Sequence, residues 1–415
     1  MVSKVVSFCY QVFSLPLLMA FLGVEKYAIF AIFLTSIGWV FWLSNSLSPA
    51  VTRITARNGI TQIAHRVYLA AKKVTFFIAV VAVVGGAVLT LVQLNHQVMS
   101  HFNLHDVLLL LLLSLLVMYY SVADSVRQGV GQQHINNLYF SGANAITIVS
   151  IFVIAKMNWH ESSKLPLAIV VTYLPLFIIK VINTFQVNTK FKVKPLTHTY
   201  NPKKALLKLL FGVGSANLFI QLSVLTNKSV VSFFVIDASL VEMAKLDIAF
   251  RYFTIAGTFF ATIQAPLWPL LTNAYKQKEY NWIRMWQLVL TIGFGVISLV
   301  LFAVTYLYGE QLFLLWSQAA VVITQQEIML MSGYFLTIAL NQAHIILLMG
   351  KSDFAFIAKS LLIEAGVLIL LIFSQQFEQS LLGVIQALIV ARIISSLPML
   401  SWKVWYQQRG AALES

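Results

Sequence analysis

Charged residues are scarce in this sequence. Lysine, arginine, aspartate and glutamate make up only 10% of the 415 residues, whereas 59% are hydrophobic. A water-soluble fold with so few charges could not cover so apolar an interior, so the solvent around most of the chain must be lipid. Apolar runs of roughly 18 to 24 residues recur throughout, and each is long enough to cross a hydrocarbon core of about 30 Å as a helix.

Cysteine is almost absent as well. Cys9 is the only one, which excludes an intramolecular disulfide and a thiolate metal site. The sequence also lacks a phosphate-cradling Walker loop, a Ser-His-Asp set and a paired-carboxylate cleft, so we expect no built-in ATPase and no enzyme. One predicted outer loop is rich in histidine, but no glutamate base accompanies the histidines, and we predict no metal and no cofactor there. The residues of this loop are His96, His101, His105 and Asp106.

The apolar runs predict about twelve membrane-spanning helices. They lie near 5–22, 27–48, 74–94, 107–123, 136–155, 165–185, 209–236, 243–268, 286–308, 326–349, 354–373 and 381–400. The formal net charge of +14 would fit a nucleic-acid-binding protein, but its distribution follows membrane topology instead. With the N-terminus in the cytoplasm, 19 Lys and Arg residues lie on that side, and only Lys26, Lys156 and Lys164 lie outside. The positive-inside rule therefore predicts cytoplasmic termini and no nucleic-acid partner.

The longest basic connection, 186–208, separates the sixth and seventh predicted spans and carries Pro195 and Pro202. It predicts an N-terminal six-helix lobe at 1–190, a cytoplasmic basic linker at 191–208 and a C-terminal six-helix lobe at 209–415. A long solvated loop with no division into halves is the alternative. The halves also look faintly alike, with a turn and a proline-containing segment repeated at an offset near 217 residues. Internal repeats are typical of transporters, whose sites lie at the repeat interface.

Polar residues in four predicted spans align along one helix face. In the first and second spans they are Ser3, Ser7, Gln11 and Ser14, and then Thr35, Trp39, Trp42, Ser46 and Arg53. In the seventh and eighth they are Asn217, Gln221, Lys228 and Ser232, and then Asp247, Arg251, Thr254, Thr258 and Thr262. Such stripes either hydrogen-bond to neighbouring helices or line a water-filled path. For Ser and Thr alone we favour the first interpretation.

Two cations favour a water-filled path. Lys228 and Arg251 lie at similar depth, and a cation near mid-bilayer costs at least about 2.5 kcal/mol unless water or a counter-charge meets it. Asp247 lies one turn from Arg251 and can neutralise it as an i, i+4 pair, which leaves the lysine for an anion. Snorkelling of Lys228 to the outer interface is the alternative.

Ionisable residues also occur in the last three predicted spans. Glu364 and Arg392 lie at comparable depths, and we interpret them as a structural ion pair, with a proton-coupling carboxylate as the alternative. Thr337, Asn341 and His344 share a face of the tenth span. We interpret the histidine as a hydrogen-bonded core residue rather than a titrating one.

Two segments carry a family resemblance. The first outer turn reads LGVEKYAIF, which resembles the LGxExYGxW signature of polysaccharide-repeat (O-antigen) flippases of the multidrug/oligosaccharidyl-lipid/polysaccharide (MOP) superfamily. The end of the eighth predicted span reads APLWPLLTNAYKQKEYNWIRM, which is similar to the PLWPxxxEAxxxxDxxWIR stretch of the same family. Ala28 replaces the family's glycine and Phe30 its tryptophan. Lys228 stands where many members have an aspartate, which leaves the coupling ion open.

The resemblance implies an all-α, MATE-like, V-shaped fold of two six-helix bundles, with the first, second, seventh and eighth spans lining a central cavity. It implies a flippase that moves an undecaprenyl-pyrophosphate-linked oligosaccharide from the inner to the outer leaflet of the bacterial inner membrane. H+ or Na+ antiport, a polysaccharide polymerase and a chain-length regulator are further expectations. A multidrug or cation antiporter and a lipid II flippase of the same superfamily are alternatives, and a membrane glycosyl- or acyltransferase is less favoured.

The stripes and the resemblance together predict a site. The predicted substrate-binding residues are Lys228, Arg251, Arg53, Asn217, Gln221, Trp39, Trp42, Asp247, Thr254, Thr258 and Gln11. The three cations would meet the pyrophosphate through charge-assisted hydrogen bonds, and the two tryptophans would stack on sugars. The candidates for ion coupling are Asp247, Glu364 and Arg392.

Overall fold

The computed structural model describes residues 2–93, 103–190, 231–232, 239–318, 321–351, 353–374 and 376–413. Backbone alone is described for 36–46, 49–50, 57–58, 78–79, 81–93, 258–259, 261–266, 268–269 and 408–413, and for residues 2, 4, 53, 253 and 256. The chain divides into two compact units, Met1–Leu218 (unit 1) and Phe219–Ser415 (unit 2). The described residues contain no strand, and the protein is an all-α, multi-pass membrane protein, as the sequence predicts.

Long helices make up both units. Unit 1 contains α1 (Val2–Asn58), α2 (Gln62–Gln93), α3 (Leu104–Gly129), α4 (Gln133–Ala155) and α5 (Glu161–Lys190). Unit 2 contains α6 (Leu240–Gln277), α7 (Tyr280–Trp316), α8 (Gln325–Gly350), α9 (Phe354–Phe373), α10 (Leu381–Ile394) and α11 (Ser396–Leu413). Eight segments of the described helices are long and apolar enough to cross a membrane. The seventh predicted span, 209–236, lies outside the described residues apart from 231 and 232.

The first two predicted spans form one long helix with a break at its predicted outer turn. Gly23 has φ 73° and ψ 169°, and the residues on both sides of it are helical. A side chain at these backbone angles would be strained, whereas glycine adopts them readily. The connection between the two spans is therefore a single residue, shorter than the turn at 23–26 that the sequence indicates.

In unit 1, α1 contacts every other described helix of the unit. Helix α3 in unit 1 and helix α8 in unit 2 do so as well. Both end in a glycine at a close helix contact. A Cβ atom on Gly129 would lie 2.6 Å from the Thr52 carbonyl oxygen, and one on Gly350 would lie 2.8 Å from Leu271 Cβ. These equivalent contacts are about 220 residues apart, as expected of an internal repeat.

The last predicted span, 381–400, is interrupted. The helix α10 ends at Ile394, Ser395 has φ −123° and ψ −88°, and α11 begins at Ser396. Pro398 explains the break, because it lacks the amide that would bond to the Ile394 carbonyl and its ring would clash with that carbonyl. The predicted span is confirmed as a single candidate membrane segment, Leu381–Gln407, and the structure adds a kink at Ser395 within it.

Candidate functional site

The polar stripe on the first half of α1 contacts α4. The Ser141 hydroxyl donates to the Ser3 carbonyl oxygen at 2.9 Å, and the Asn144 amide donates to the Ser7 hydroxyl at 3.4 Å. Gln11 continues the stripe, and its buried Oε1 atom has no hydrogen-bond partner among the described residues. The Ser3 backbone carbonyl and the Ser7 hydroxyl therefore accept interhelical hydrogen bonds, and for the Ser7 side chain this is the role that the sequence favours.

Much of the predicted substrate site lies outside what the structure describes. This applies to the side chains of Trp39, Trp42, Arg53 and Thr258 and to the whole of Asn217, Gln221 and Lys228. Their roles stay predictions. Within the part of the chain that is described, no group of three metal-binding side chains occurs.

The stripe of the eighth predicted span lies on α6. Arg251 Nε donates to Asp247 Oδ2 at 2.8 Å, and this is the i, i+4 pair that the sequence suggests. The Asp247 side chain is 4% exposed and that of Arg251 is 19% exposed, so the cation lies nearer the surface of unit 2 than its counter-ion. Thr254 is exposed and donates its hydroxyl to the Phe250 carbonyl oxygen. The described part of the stripe therefore presents a guanidinium and a hydroxyl.

A second charged group joins the N-terminal ends of three helices in unit 2. Lys245 Nζ lies 2.8 Å from Glu242 Oε1 and 3.3 Å from Glu327 Oε1. Glu242 Oε2 also accepts a hydrogen bond from the Leu381 backbone amide at 2.8 Å. Glu327 forms a capping box with Thr324 at the start of α8. These contacts connect α6, α8 and α10 and occupy both carboxylates.

Glu364 in α9 and Arg392 in α10 form the ion pair expected from the sequence. Arg392 Nη2 and Nε lie 2.8 Å and 3.2 Å from Glu364 Oε1, and the Ser396 hydroxyl donates to Oε2. The guanidinium also lies 4.9 Å from the centre of the Tyr334 ring. Ser396 is the first residue of α11, so the positive end of that helix dipole lies beside the carboxylate. A carboxylate with this many donors favours the structural role over ion coupling.

The polar face of α8 is buried, as the sequence predicts. Thr337, Asn341 and His344 are each less than 9% exposed. The Asn341 amide donates to the Ser396 hydroxyl at 2.7 Å, and His344 Nδ1 lies 2.7 Å from the Leu340 carbonyl oxygen. His344 is thus a hydrogen-bonded core histidine.

The structure reveals a polar cluster in unit 1 that the stripes do not include. Asp124, near the end of α3, accepts hydrogen bonds from Lys180 Nζ and, at 2.6 Å, from the Asn183 amide, both in α5. The Asn136 amide of α4 donates to the Asp124 carbonyl oxygen at 2.8 Å. Three helices therefore meet at one acidic residue.

Arg127, one turn further along α3, is 2% exposed. Its Nε donates to Asn183 Oδ1, its Nη2 donates to Gln186 Oε1 at 2.6 Å, and the guanidinium lies 5.5 Å from the centre of the Tyr139 ring. The Arg127 side chain is therefore bound inside unit 1, where its planar guanidinium donates to two fixed amide oxygens.

A cavity of about 90 Å³ borders this cluster, between the second half of α1 and α3. It is lined by Leu47, Ser48, Val51, Ser121, Val122, Asp124 and Ser125. The Ser125 hydroxyl donates to the Ser48 hydroxyl at 2.8 Å. The residues that line the cavity include one aspartate and three serines, and its volume is sufficient for a water molecule.

The sequence contains a signal for this cluster. Lys180 lies within the sixth predicted span and Asp124 directly follows the fourth. An ionisable residue at membrane depth is a functional candidate by default. Polar residues aligned along one helix face do not indicate such a pair, because Asp124 and Lys180 come from different helices.

Comparisons with known proteins identify the fold. No family model matches the sequence, and no curated protein is similar to it in sequence. Solved structures do match over nearly the whole chain. An inward-facing multidrug resistance MATE family transporter of the MOP superfamily has a TM-score of 0.70 at 13% identity, with 98% of this chain and 96% of that chain covered.

Two further structures show the same fold. A MOP superfamily transporter from Pyrococcus furiosus matches with a TM-score of 0.66 at 14% identity, over 100% of this chain and 94% of that one. That transporter is described as having a binding pocket of reverse polarity, which suggests a different function. A Vibrio cholerae MATE transporter in its bent form matches with a TM-score of 0.60 at 13% identity, over 99% and 98% of the two chains. The chain therefore has the fold of MATE transporters of the MOP superfamily, as expected from the two sequence motifs.

Proposed function

We propose that the protein is a flippase that moves an undecaprenyl-pyrophosphate-linked oligosaccharide from the inner to the outer leaflet of the bacterial cytoplasmic membrane. Three features support a transporter: the MATE-like fold, the apolar helices and the polar stripes. The two sequence motifs favour the polysaccharide branch of the superfamily. The charge balance of the spans distinguishes this proposal from its main alternative, a multidrug or cation antiporter.

The observation that carries the proposal is that the carboxylates in the predicted spans are already paired with basic side chains. The predicted spans contain three of them, and each has a Lys or Arg partner in the structure. The pairs are Glu327 with Lys245, Asp247 with Arg251, and Glu364 with Arg392. A transporter of cationic drugs needs acidic groups for its substrate, whereas here the carboxylates are engaged and the spans carry twice as many basic residues.

An excess of embedded cations suits an anionic substrate. Lys228 and Arg251 are the predicted contacts of the pyrophosphate within the membrane, and Arg53 is its predicted contact at the cytoplasmic entrance. The related fold from Pyrococcus furiosus, with its pocket of reverse polarity, offers a precedent for a change of pocket charge on this scaffold.

Moving the head group across a bilayer is slow because charges and hydroxyls must leave water for hydrocarbon. A polar path lined by cations and hydroxyls removes that barrier, while the polyprenyl chain stays in lipid. The inside-negative membrane potential also favours outward movement of the pyrophosphate, by about 2.3 kcal/mol per charge per 100 mV.

Complementation tests the proposal. In a bacterial strain that lacks its own polysaccharide-repeat flippase, the wild-type protein should restore long-chain surface polysaccharide. Arg251→Gln should abolish the restoration while the protein stays inserted, and Arg251→Lys should retain part of it. The exchanged pair Asp247→Arg/Arg251→Asp keeps a salt bridge but moves the cation, so it should fail if the guanidinium binds substrate.

A surface lysine provides the matched control. Lys164 and Lys26 both form salt bridges with Glu161 at the predicted outer side. Lys164→Gln leaves Glu161 paired with Lys26, so this variant should restore surface polysaccharide as the wild-type protein does. Full restoration by Arg251→Gln would remove this residue from the substrate path. Failure of the wild-type protein across several repeat types, together with export of cationic dyes, would favour the multidrug antiporter.

A further inference from the structure

The buried arginine at the predicted cytoplasmic end of unit 1 is met by neutral acceptors. Among the described residues, the acceptors of the Arg127 guanidinium are three side-chain amide oxygens, and no carboxylate lies within salt-bridge distance of it. They are Asn183 Oδ1, Gln186 Oε1 at 2.6 Å and Gln132 Oε1 at 3.4 Å. A guanidinium has five N–H donors, so it can bind a further acceptor. A buried cation is normally paired with an anion, and this arginine has amides in its place.

A second cation shares one of these amide oxygens. Lys190, the last residue of α5, donates from Nζ to Gln132 Oε1 at 2.9 Å, so a single neutral oxygen accepts from both an ammonium and a guanidinium. The Asp124–Lys180 ion pair lies one turn away from Arg127. We call these four charged residues the basic cluster. It holds three cations and one carboxylate, so its net charge is +2.

The basic cluster lies at the predicted depth of lipid headgroups. Arg127 and Lys190 lie a few residues beyond the ends of predicted spans, and Gln132 lies a few residues before the start of one. Exposed apolar side chains begin directly beside them, since Leu138 of α4 is 64% exposed and Phe185 of α5 is 66% exposed. Side chains of this kind within a span face the acyl chains of lipids. The ends of α4 and α5 therefore offer positive charge next to an apolar surface.

We propose that the basic cluster binds the phosphate headgroup of an anionic phospholipid from the cytoplasmic leaflet, held between Arg127 and Lys190. A phosphate oxygen takes the place of Gln132 Oε1, which accepts from both cations in the absence of lipid. Charge-assisted hydrogen bonds to an anionic oxygen are about twice as strong as bonds to a neutral one, so phosphate is the better acceptor. Basic pockets between transmembrane helices on the cytoplasmic side suit such headgroups. The bound lipid joins the ends of α3, α4 and α5.

Gln132 controls access to the buried guanidinium. Arg127 is enclosed, whereas Gln132 is half-buried and Lys190 is exposed. The contact of 3.4 Å between Arg127 Nη1 and Gln132 Oε1 is long for a hydrogen bond, so moving this amide aside costs little. Gln132 is the N-cap residue of α4, and its side chain makes no capping bond, so its displacement leaves the helix start intact. The positive end of the α4 dipole also lies at this position and favours an anion.

The lipid site goes beyond the proposed flippase function and does not rest on it. The residues that form it all belong to unit 1, and its ligand is a bulk membrane lipid rather than a transported one. It can therefore be measured without a lipid-linked oligosaccharide.

Photolabelling of the purified full-length protein in lipid nanodiscs tests the proposal. The discs contain phosphatidylcholine with increasing fractions of a photoactivatable phosphatidylglycerol, and mass spectrometry locates the labelled peptides. We expect saturable labelling around Leu138 and Phe185. On the exposed apolar face of α7, at Leu288 and Leu299, labelling should only rise in proportion to the lipid fraction. A photoactivatable phosphatidylcholine with the same acyl chains should label both surfaces in proportion to its fraction.

Variants that leave Arg127 in place test the chemistry of the site. Lys190→Gln should need about tenfold more phosphatidylglycerol for half-saturation, because it removes one charge-assisted hydrogen bond. Gln132→Glu places a carboxylate of the protein between the two cations and should abolish saturable labelling. Gln132→Ala removes only the neutral competitor, so it should bind at least as tightly as the wild-type protein. Lys276→Gln is the matched control, since Lys276 is an exposed lysine in the last turn of α6, and it should leave the labelling unchanged.

The outcomes separate a lipid from a soluble anion and from a folding effect. Loss of saturable labelling in Gln132→Glu, with an unfolding temperature no lower than that of the wild-type protein, supports the phosphate site. In a parallel arm, inorganic phosphate is added to phosphatidylcholine discs, and acylation of the Lys190 amine is followed. Protection by phosphate with equal labelling by the two lipids would assign the cluster to a soluble anion and overturn the lipid site. Equal half-saturation in Lys190→Gln and the wild-type protein would overturn it as well.

Discussion

Replacing Arg392 with leucine should destabilise unit 2 by about 3 to 5 kcal/mol, because it leaves a carboxylate buried without its counter-charge. Glu364 is 1% exposed, and the Nη2 and Nε atoms of that guanidinium donate hydrogen bonds to it at 2.8 Å and 3.2 Å. The substitution removes both of these bonds and keeps the one from the Ser396 hydroxyl. A loss of this size changes the folding equilibrium by roughly two to four orders of magnitude.

The assay is reversible unfolding in mixed detergent micelles, followed by tryptophan fluorescence. The double variant Glu364→Met/Arg392→Leu should recover most of the lost stability, since removing both charges of a buried pair is often nearly neutral. If the pair is structural, the double variant should also retain transport. A stability of Arg392→Leu within about 1 kcal/mol of the wild-type value would refute the reasoning, because it would mean that Glu364 meets no desolvation penalty.

Two glycine substitutions test local packing and backbone strain, each against a matched control. Gly129→Ala should be strongly destabilising in thermal unfolding, because its Cβ would lie 2.6 Å from the Thr52 carbonyl oxygen, whereas Gly142→Ala, with its nearest atom at 3.6 Å, should be tolerated. Equal melting temperatures would contradict the close contact of α3 with α1. Gly23→Ala should cost about 1 to 3 kcal/mol through backbone strain alone, since no atom lies within 4 Å of the new Cβ. Gly366 lies in a helix and also has no atom within 4 Å of a new Cβ, so Gly366→Ala should stabilise the protein by about 0.5 to 1 kcal/mol. A loss of stability in Gly366→Ala would contradict the assignment of the Gly23 effect to backbone conformation.

The sequence predicts the helical architecture well because the physical signal is strong. An apolar run long enough to span a bilayer has to satisfy its backbone groups internally, so a helix is the expected outcome in each case. The breaks are harder to predict. Gly23 confines a turn to a single residue, and Pro398 interrupts an apolar run whose hydropathy alone indicates one continuous helix.

How well each ion pair can be predicted likewise depends on whether its two residues lie on one helix or on different helices. Asp247 and Arg251 are one turn apart on α6, so helical periodicity is sufficient to predict their contact. Glu364 and Arg392 are predicted from depth, because each is an unusual charge at a comparable level of the membrane. Asp124 and Lys180 come from helices far apart in sequence, and only the packing of α3 against α5 brings them together.

The most direct test of the proposed function is translocation in reconstituted vesicles. Purified protein is placed in proteoliposomes that contain an undecaprenyl-pyrophosphate-linked oligosaccharide on the inner leaflet, and a lectin outside reports the arrival of the sugar on the outer leaflet. The proposed function predicts rapid lectin binding with the wild-type protein, little with Arg251→Gln, and no transport of cationic dyes. Dye transport without sugar translocation, in vesicles that hold a range of repeat units, would contradict it.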